Sequence, residues 1–132
     1  MRAKDFMSSH FVTVPVDSTM DKAVLRFLSE GAELLLVTNS QQNVIGIISE
    51  ADLLAVAVDS HRRNDPVSLY TKRHFVSVQE SAPLEAVLDQ FILHRVRCIP
   101  VISQHQVIGL IHRREVIRLI ESGVGPAHIG ML

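Results

Sequence analysis

Two stretches of the chain place polar and charged residues at the same spacing after the same kind of apolar run. Ser49 and Asp52 follow Val44-Ile-Gly-Ile-Ile48, and His112 and Glu115 follow Val107-Ile-Gly-Leu-Ile111. In each, an apolar run interrupted by one glycine predicts a buried strand, and the polar position followed by charge and apolar pairs predicts a helix start. Strand, tight turn and helix N-terminus together make a place where backbone N–H groups can meet an anion or a sugar hydroxyl. Ser49 and Asp52 also have the spacing of a capping box, which contributes about 1 kcal/mol with no ligand at all. The two readings are compatible, because a capped helix start can also receive a ligand. The copies differ at the chemically active positions, and most of the functional reading turns on that difference.

Composition narrows the classes. At 132 residues with 47% hydrophobic content the chain can bury one compact domain or two small halves sharing a core. A net charge of −1, one Tyr and no Trp supply neither the basic excess nor the stacking platform of a nucleic-acid binder, although seven His add positive charge in acid. The single cysteine, Cys98, excludes a disulfide framework within the chain and fits a reducing cytoplasm. No apolar run approaches the ~18 residues needed to cross a bilayer, and the first residues lack a signal-peptide core, so a soluble, unexported protein is expected.

The elements that must position these residues repeat. A helix predicted to start near Ser18, with Ser18 and Asp21 at capping-box spacing, carries the stripe Met20, Ala23, Val24, Phe27 and Leu28. Gly31 can end it in a left-handed conformation, and 33–38 then reads as a strand, 39–43 as a turn. The pattern returns 64 positions later: His74-Phe-Val-Ser-Val78 echoes His10-Phe-Val-Thr-Val14, and Leu84, Val87, Leu88, Phe91 and Ile92 repeat the stripe. After the turn the offset falls to 63, which places Gly109 opposite Gly46. The predicted layout is a first unit over 1–60, a polar linker over 61–66, a second unit over 67–120 and a Gly-rich tail over 121–132. Each unit reads strand, helix, strand, strand, helix, an α/β (α+β) unit whose open sheet face the other unit can cover. The tail is expected to fray, or to dock through Ile129, Met131 and Leu132 on a neighbouring subunit.

With the duplication established, the chain resembles a tandem pair of CBS (cystathionine β-synthase type) domains, a Bateman module, over roughly residues 3 to 120. The resemblance rests on Lys4-Asp-Phe-Met7, Val12-Thr-Val14, the helix stripe, Ile99-Pro-Val101 and the Gly-x-x-Ser-x-x-Asp of Gly46 to Asp52. It implies two pseudo-symmetric units packed through their sheets, and a regulatory module without catalysis. Such pairs bind adenine nucleotides or related adenosyl ligands, S-adenosylmethionine included, in clefts between the units, and commonly associate as flat dimers. The implied ligands are AMP, ADP, ATP or S-adenosylmethionine, with no required cofactor, and the implied partners are a second copy and a regulated protein.

In the family the Ser or Thr and the Asp of this motif contact ribose and phosphate, a role that transfers to Ser49 and Asp52. A carboxylate suits it, since it can accept from two vicinal hydroxyls. The strand positions Val12 and Val76 join the implied binding set. His112 and Glu115 depart from the motif and make a weaker second site. The family often supplies a basic residue before the strand that follows the first helix; the equivalent positions here are Glu33 and Arg97. Arg97 can meet a phosphate, whereas Glu33 would repel one, which favours ligands with few phosphates or a cationic adenosyl compound. Glu33 and Arg97 could equally pair with each other.

The seven His show no metal-ligand spacing, so no metal site is expected. The groups His94, Arg95, Arg97 and His112, Arg113, Arg114 read as solvated helix ends, and Cys98 as a small core residue. No residue set singles out a nucleophile. The competing reading is a module that keeps the fold, has lost the ligand, and dimerises or docks on a partner through its helices.

Overall fold

The computed structural model describes residues 1–124. Its elements run α1 (Ala3–Phe6), β1 (Val12–Pro15), α2 (Met20–Ser29), β2 (Leu35–Thr38), β3 (Val44–Ile48), α3 (Glu50–Val58), β4 (Val78–Gln79), α4 (Leu84–His94), β5 (Cys98–Ser103), β6 (Gln106–His112) and α5 (Arg113–Glu121), with short 3₁₀ turns at Ser60–Arg62 and Val67–Leu69. Two sheets form, ordered β1-β2-β3 and β4-β5-β6. In each, the first pair is parallel and the second antiparallel. The expected strand-helix-strand-strand-helix unit is therefore present twice.

The packing units cut the chain differently from the sequence repeat. One compact unit is Phe11–Phe75, and the other joins Met1–His10 to the chain from Val76 onward. The segment that leads each repeat lies on the other repeat's strand: Ser8 bridges Leu110, and Lys72 bridges Ile47. Ala3 and Val67, 64 positions apart, are both fully buried in the cores they join in this way.

In the 11–75 unit, Val12, Val14, Leu35, Val37 and Ile48 of the sheet meet Met20, Ala23, Val24, Leu53 and Val56 of the helices. Helix α2 starts at Met20 with Thr19 as its N-cap and no side-chain cap bond, not at Ser18. The reason lies in the polar stretch expected to be a linker. Its carbonyls supply the cap, with the N–H groups of Met20 and Asp21 donating to Asp65 and Arg63 at 2.9 and 2.8 Å. The Arg63 guanidinium also donates to the Asp21 carboxylate at 2.7 Å. Gly31 does end the helix region in a left-handed conformation (φ 61°), and the following strand begins at Leu35, later than residue 33.

The β2–β3 turn is organised by the Asn39 side chain, which accepts from the N–H groups of Gln41 and Asn43 at 3.0 Å. The matching β5–β6 hairpin pairs Ser103 with Gln106 across Gln104 and His105, both left-handed. This shorter connection is where the repeat offset drops from 64 to 63. The second core gathers Val78, Leu84, Val87, Phe91, Ile99, Val101, Ile111 and Val116 around Ala3. The strand expected over 74–78 is reduced to Val78–Gln79. Cys98 is buried, as expected of a small core residue. Residues 125–132, including Ile129, Met131 and Leu132, lie outside the described residues.

Tyr70 shows how the 65–72 segment is fastened. Its hydroxyl donates to the Asp65 carboxylate at 2.6 Å. This bond, with partial burial of the ring and the nearby charge of Asp65, holds the phenol above its ordinary range near 10. A raised folded value means that the stabilisation is fully present below about pH 10 and is lost as pH rises through the folded value. Tyr70 is the sole tyrosine and there is no tryptophan, so tyrosinate absorbance reports it alone. The expected midpoint lies above 10 in the folded protein and returns to about 10 in denaturant; an equal midpoint in both would contradict the bond.

Candidate functional site

The first repeat builds its junction on Gly46. A Cβ at this position would lie 2.5 Å from Thr71 Cγ2 and 2.6 Å from the Lys72 carbonyl oxygen. Glycine thus lets the 71–72 backbone close on β3, where Ile47 and Lys72 exchange two hydrogen bonds of 2.9 and 2.8 Å. The chain then turns at Ser49 into α3. Ser49 Oγ accepts from the Asp52 backbone N–H at 3.1 Å, which is the N-cap half of the capping box expected of this pair. Lys72, anchored through its backbone, places Nζ 3.9 Å from Asp52 Oδ2. The lysine side chain is 56% exposed, so this pair is worth under about 1 kcal/mol. A hydroxyl, a carboxylate and an ammonium thus gather at the positive end of a helix dipole, a setting suited to a sugar bearing an anionic group.

The second repeat has the same backbone and different chemistry. A Cβ on Gly109 would lie 2.7 Å from the Ser8 carbonyl oxygen and 2.6 Å from Met7 Sδ. Ser8 and Leu110 exchange hydrogen bonds of 2.7 and 2.8 Å, the counterpart of the Lys72 bridge. His112 occupies the N-cap position of α5 but makes no side-chain cap bond, and Glu115 Oε1 accepts from the Arg118 guanidinium at 2.6 Å. A cavity of about 520 Å³ opens here, walled on one side by Met1, Asp5 and Phe6 to Ser8, and on the other by His112, Glu115 and Leu119. That volume falls in the range of small-molecule sites.

The structure therefore brings Ser49 together with Asp52, and His112 with Glu115. Val12 is buried at the start of β1, opposite Leu35, and Val76 is half-buried against the second core ahead of β4. Glu33 is half-buried two residues before β2. Arg97 immediately precedes β5, and its carbonyl accepts the Arg113 N–H at 2.9 Å, tying β5 to the start of α5. Sequence reasoning missed Lys72, Ser8 and Asp5. The signal was available in the 64-residue offset that relates Ser8 to Lys72, but nothing in the sequence says that the leading segments cross to the other repeat's glycine. Among the described residues no group of three or more His, Cys, Asp or Glu could hold a metal ion, and no helix is long and apolar enough to cross a membrane.

Comparison with known proteins agrees with this geometry. A family model for the CBS domain matches the chain twice, over residues 3–59 and 67–122. An uncharacterized protein of Methanocaldococcus jannaschii is 22% identical over 119 residues, covering 90% of this chain and 42% of that protein, so the chain spans less than half of that relative. The crystal structure of CBSX2 in complex with AMP has a TM-score of 0.79 at 22% identity, over 92% of this chain and 96% of that one. The CBS domain pair of protein MJ0100, in complex with 5′-methylthioadenosine and S-adenosyl-L-methionine, has a TM-score of 0.78 at 16% identity, over 94% and 98%. At these identities the two structures establish the fold.

Proposed function

The chain belongs to the CBS domain family, carrying two copies in tandem, and from this premise we propose that it is a non-catalytic regulatory module that binds an adenine nucleotide or related adenosyl compound. The observation that carries the reading is the meeting of Ser49, Asp52 and Lys72 at the start of α3. Asp52 accepts the ribose hydroxyls, while Lys72 swings from Asp52 to a 5′-phosphate beside the helix N-terminus. One lysine balances one phosphate group, so AMP suits this junction better than ATP. AMP is also the ligand of the structurally similar CBSX2. Binding shifts the population toward the state that holds the ligand better, and a partner protein in the cytoplasm reads that state.

Thermal melting in the presence of AMP, ADP, ATP or S-adenosylmethionine tests the reading. AMP at 100 times its dissociation constant is expected to stabilise by about 2.7 kcal/mol, a rise of roughly 10 °C for a domain of this size. Asp52→Ala is expected to abolish the rise. No shift with any of the four, or a shift that Asp52→Ala leaves unchanged, would overturn the assignment.

We further propose that the module works as a homodimer. Apolar side chains are exposed at equivalent positions of both repeats: Leu28 (68%) on α2 with Ile92 (74%) on α4, and Leu54 on α3 with Ile117 on α5. Isolated exposed leucines need no explanation, but a set repeated at equivalent positions of both repeats suits a second copy of the chain as its partner. The same surfaces would serve a ligand-free interaction module, which the AMP titration distinguishes.

A further inference from the structure

We infer that Arg95, Arg113 and Arg114 form a docking point for a short acidic segment of the regulated partner protein. The inference rests on the proposed regulatory role and adds the chemistry by which the partner is held.

The two basic groups, which read in the sequence as separate solvated helix ends, meet at one end of the β5–β6 pair. Cys98 lies opposite His112 across these strands, and the Arg113 N–H donates to the Arg97 carbonyl at 2.9 Å. Arg95 stands two residues before Arg97, and Arg114 directly follows Arg113. All three are exposed, and among the described residues none has a side-chain ion pair or hydrogen bond. Arg97 and His112 have interactions of their own and are not counted in the set.

Each of the three occupies a position that its own backbone disfavours. Arg95 follows α4 in the left-handed region (φ 54°), where a side chain is strained; the equivalent residue of the first repeat is Gly31 (φ 61°). Arg113 and Arg114 open α5, where cations oppose the helix dipole, whereas the residues that open α3 are Glu50 and Ala51. Three neighbouring positions thus break local rules in favour of the same cation, the pattern of a site kept for function and not for the fold. Guanidinium groups fit a run of carboxylates, since each can hold one in a two-bond fork. Nucleic acid and anionic membrane fit less well. The chain carries a net charge of −1 and so lacks the long-range field that gathers a polyanion, and the unit that holds the arginines has no tyrosine or tryptophan to stack a base.

Fluorescence anisotropy of a labelled hexaglutamate peptide with the full chain, at low salt, tests this. Saturable binding is expected, weakened roughly fivefold or more when Arg95→Gly, Arg113→Glu and Arg114→Ala are combined, which installs the residues of the first repeat. The same triple variant is expected to melt about 2–4 °C higher, because it relieves the strained turn and restores the favourable helix start. Replacing all three arginines by lysine keeps the charge and is expected to retain binding within about threefold. AMP affinity should be equal in the unmodified and triple-variant chains, so docking and ligand binding are read separately. No saturable peptide binding, binding that the triple variant retains, or a triple variant that melts lower overturns the inference. So does tighter binding of a hexathymidylate or of phosphatidylserine vesicles than of hexaglutamate. If the peptide binds as expected and AMP does not bind, the adenosyl reading is overturned and the docking point stands.

Discussion

Gly46→Ala is expected to destabilise the protein by about 3 kcal/mol, although it adds a single methyl group. The added carbon meets two partners that cannot yield, a methyl group of Thr71 and the Lys72 backbone oxygen, both nearer than 2.7 Å. Relief requires the 71–72 segment to lift from β3, which gives up the two Ile47–Lys72 hydrogen bonds and the anchorage of the Lys72 ammonium over Asp52. Gly109→Ala is expected to cost about 2–3 kcal/mol, because the Met7 side chain can move aside but the Ser8 backbone oxygen, 2.7 Å from the added carbon, cannot. Urea unfolding measures both. Native-state hydrogen exchange adds a local readout: the amides of Ile47 and Lys72 should lose protection in Gly46→Ala while that of Val37, in the centre of β2, keeps it. A loss of stability under about 0.5 kcal/mol with both amides still protected would show that the close approach of Thr71 and Lys72 to β3 does not need glycine.

The second large effect concerns association. Leu28→Asp combined with Ile92→Asp is expected to raise the dimer dissociation constant by roughly a thousandfold, since four side chains change in a homodimer and burying the exposed part of each contributes about 1 kcal/mol that a carboxylate cannot. Both residues are largely exposed within the chain, so the fold should be affected by less than about 0.5 kcal/mol. Sedimentation equilibrium separates these outcomes. Unmodified protein that stays monomeric at tens of micromolar, or a doubly substituted protein that stays dimeric, would remove the proposed interface.

The elements whose residues act locally were legible in the sequence. The stripe from Met20 to Phe27, the left-handed Gly31, the Asn39 turn and the cap of α3 by Ser49 all follow from the side chains of a few neighbouring residues. Features set by distant backbone were not legible. Thr19 replaces Ser18 as the α2 cap because carbonyls from residues 63 and 65 satisfy the helix, and no local pattern announces them. The crossing of each leading segment to the other repeat was hidden for the same reason, although Gly46 and Gly109 marked where a close approach would occur. This crossing brought Lys72 to the first junction and Asp5 and Ser8 to the second. Reading Ser49 and Asp52 alone, the sequence could identify a helix start fit for ribose but not the cation that would complete a phosphate site. The departure of His112 and Glu115 from the motif was visible in the sequence, whereas the cavity beside them was not.

The Ser49, Asp52 and Lys72 junction is proposed to sense an adenosyl ligand. Isothermal titration of AMP into the unmodified chain and into Asp52→Ala, at matched ionic strength, tests it most directly. Saturable binding to the unmodified protein is expected, with at least a tenfold loss of affinity in Asp52→Ala, equivalent to about 1.4 kcal/mol. Equal affinity in the two proteins, or no saturable heat in either, would contradict it.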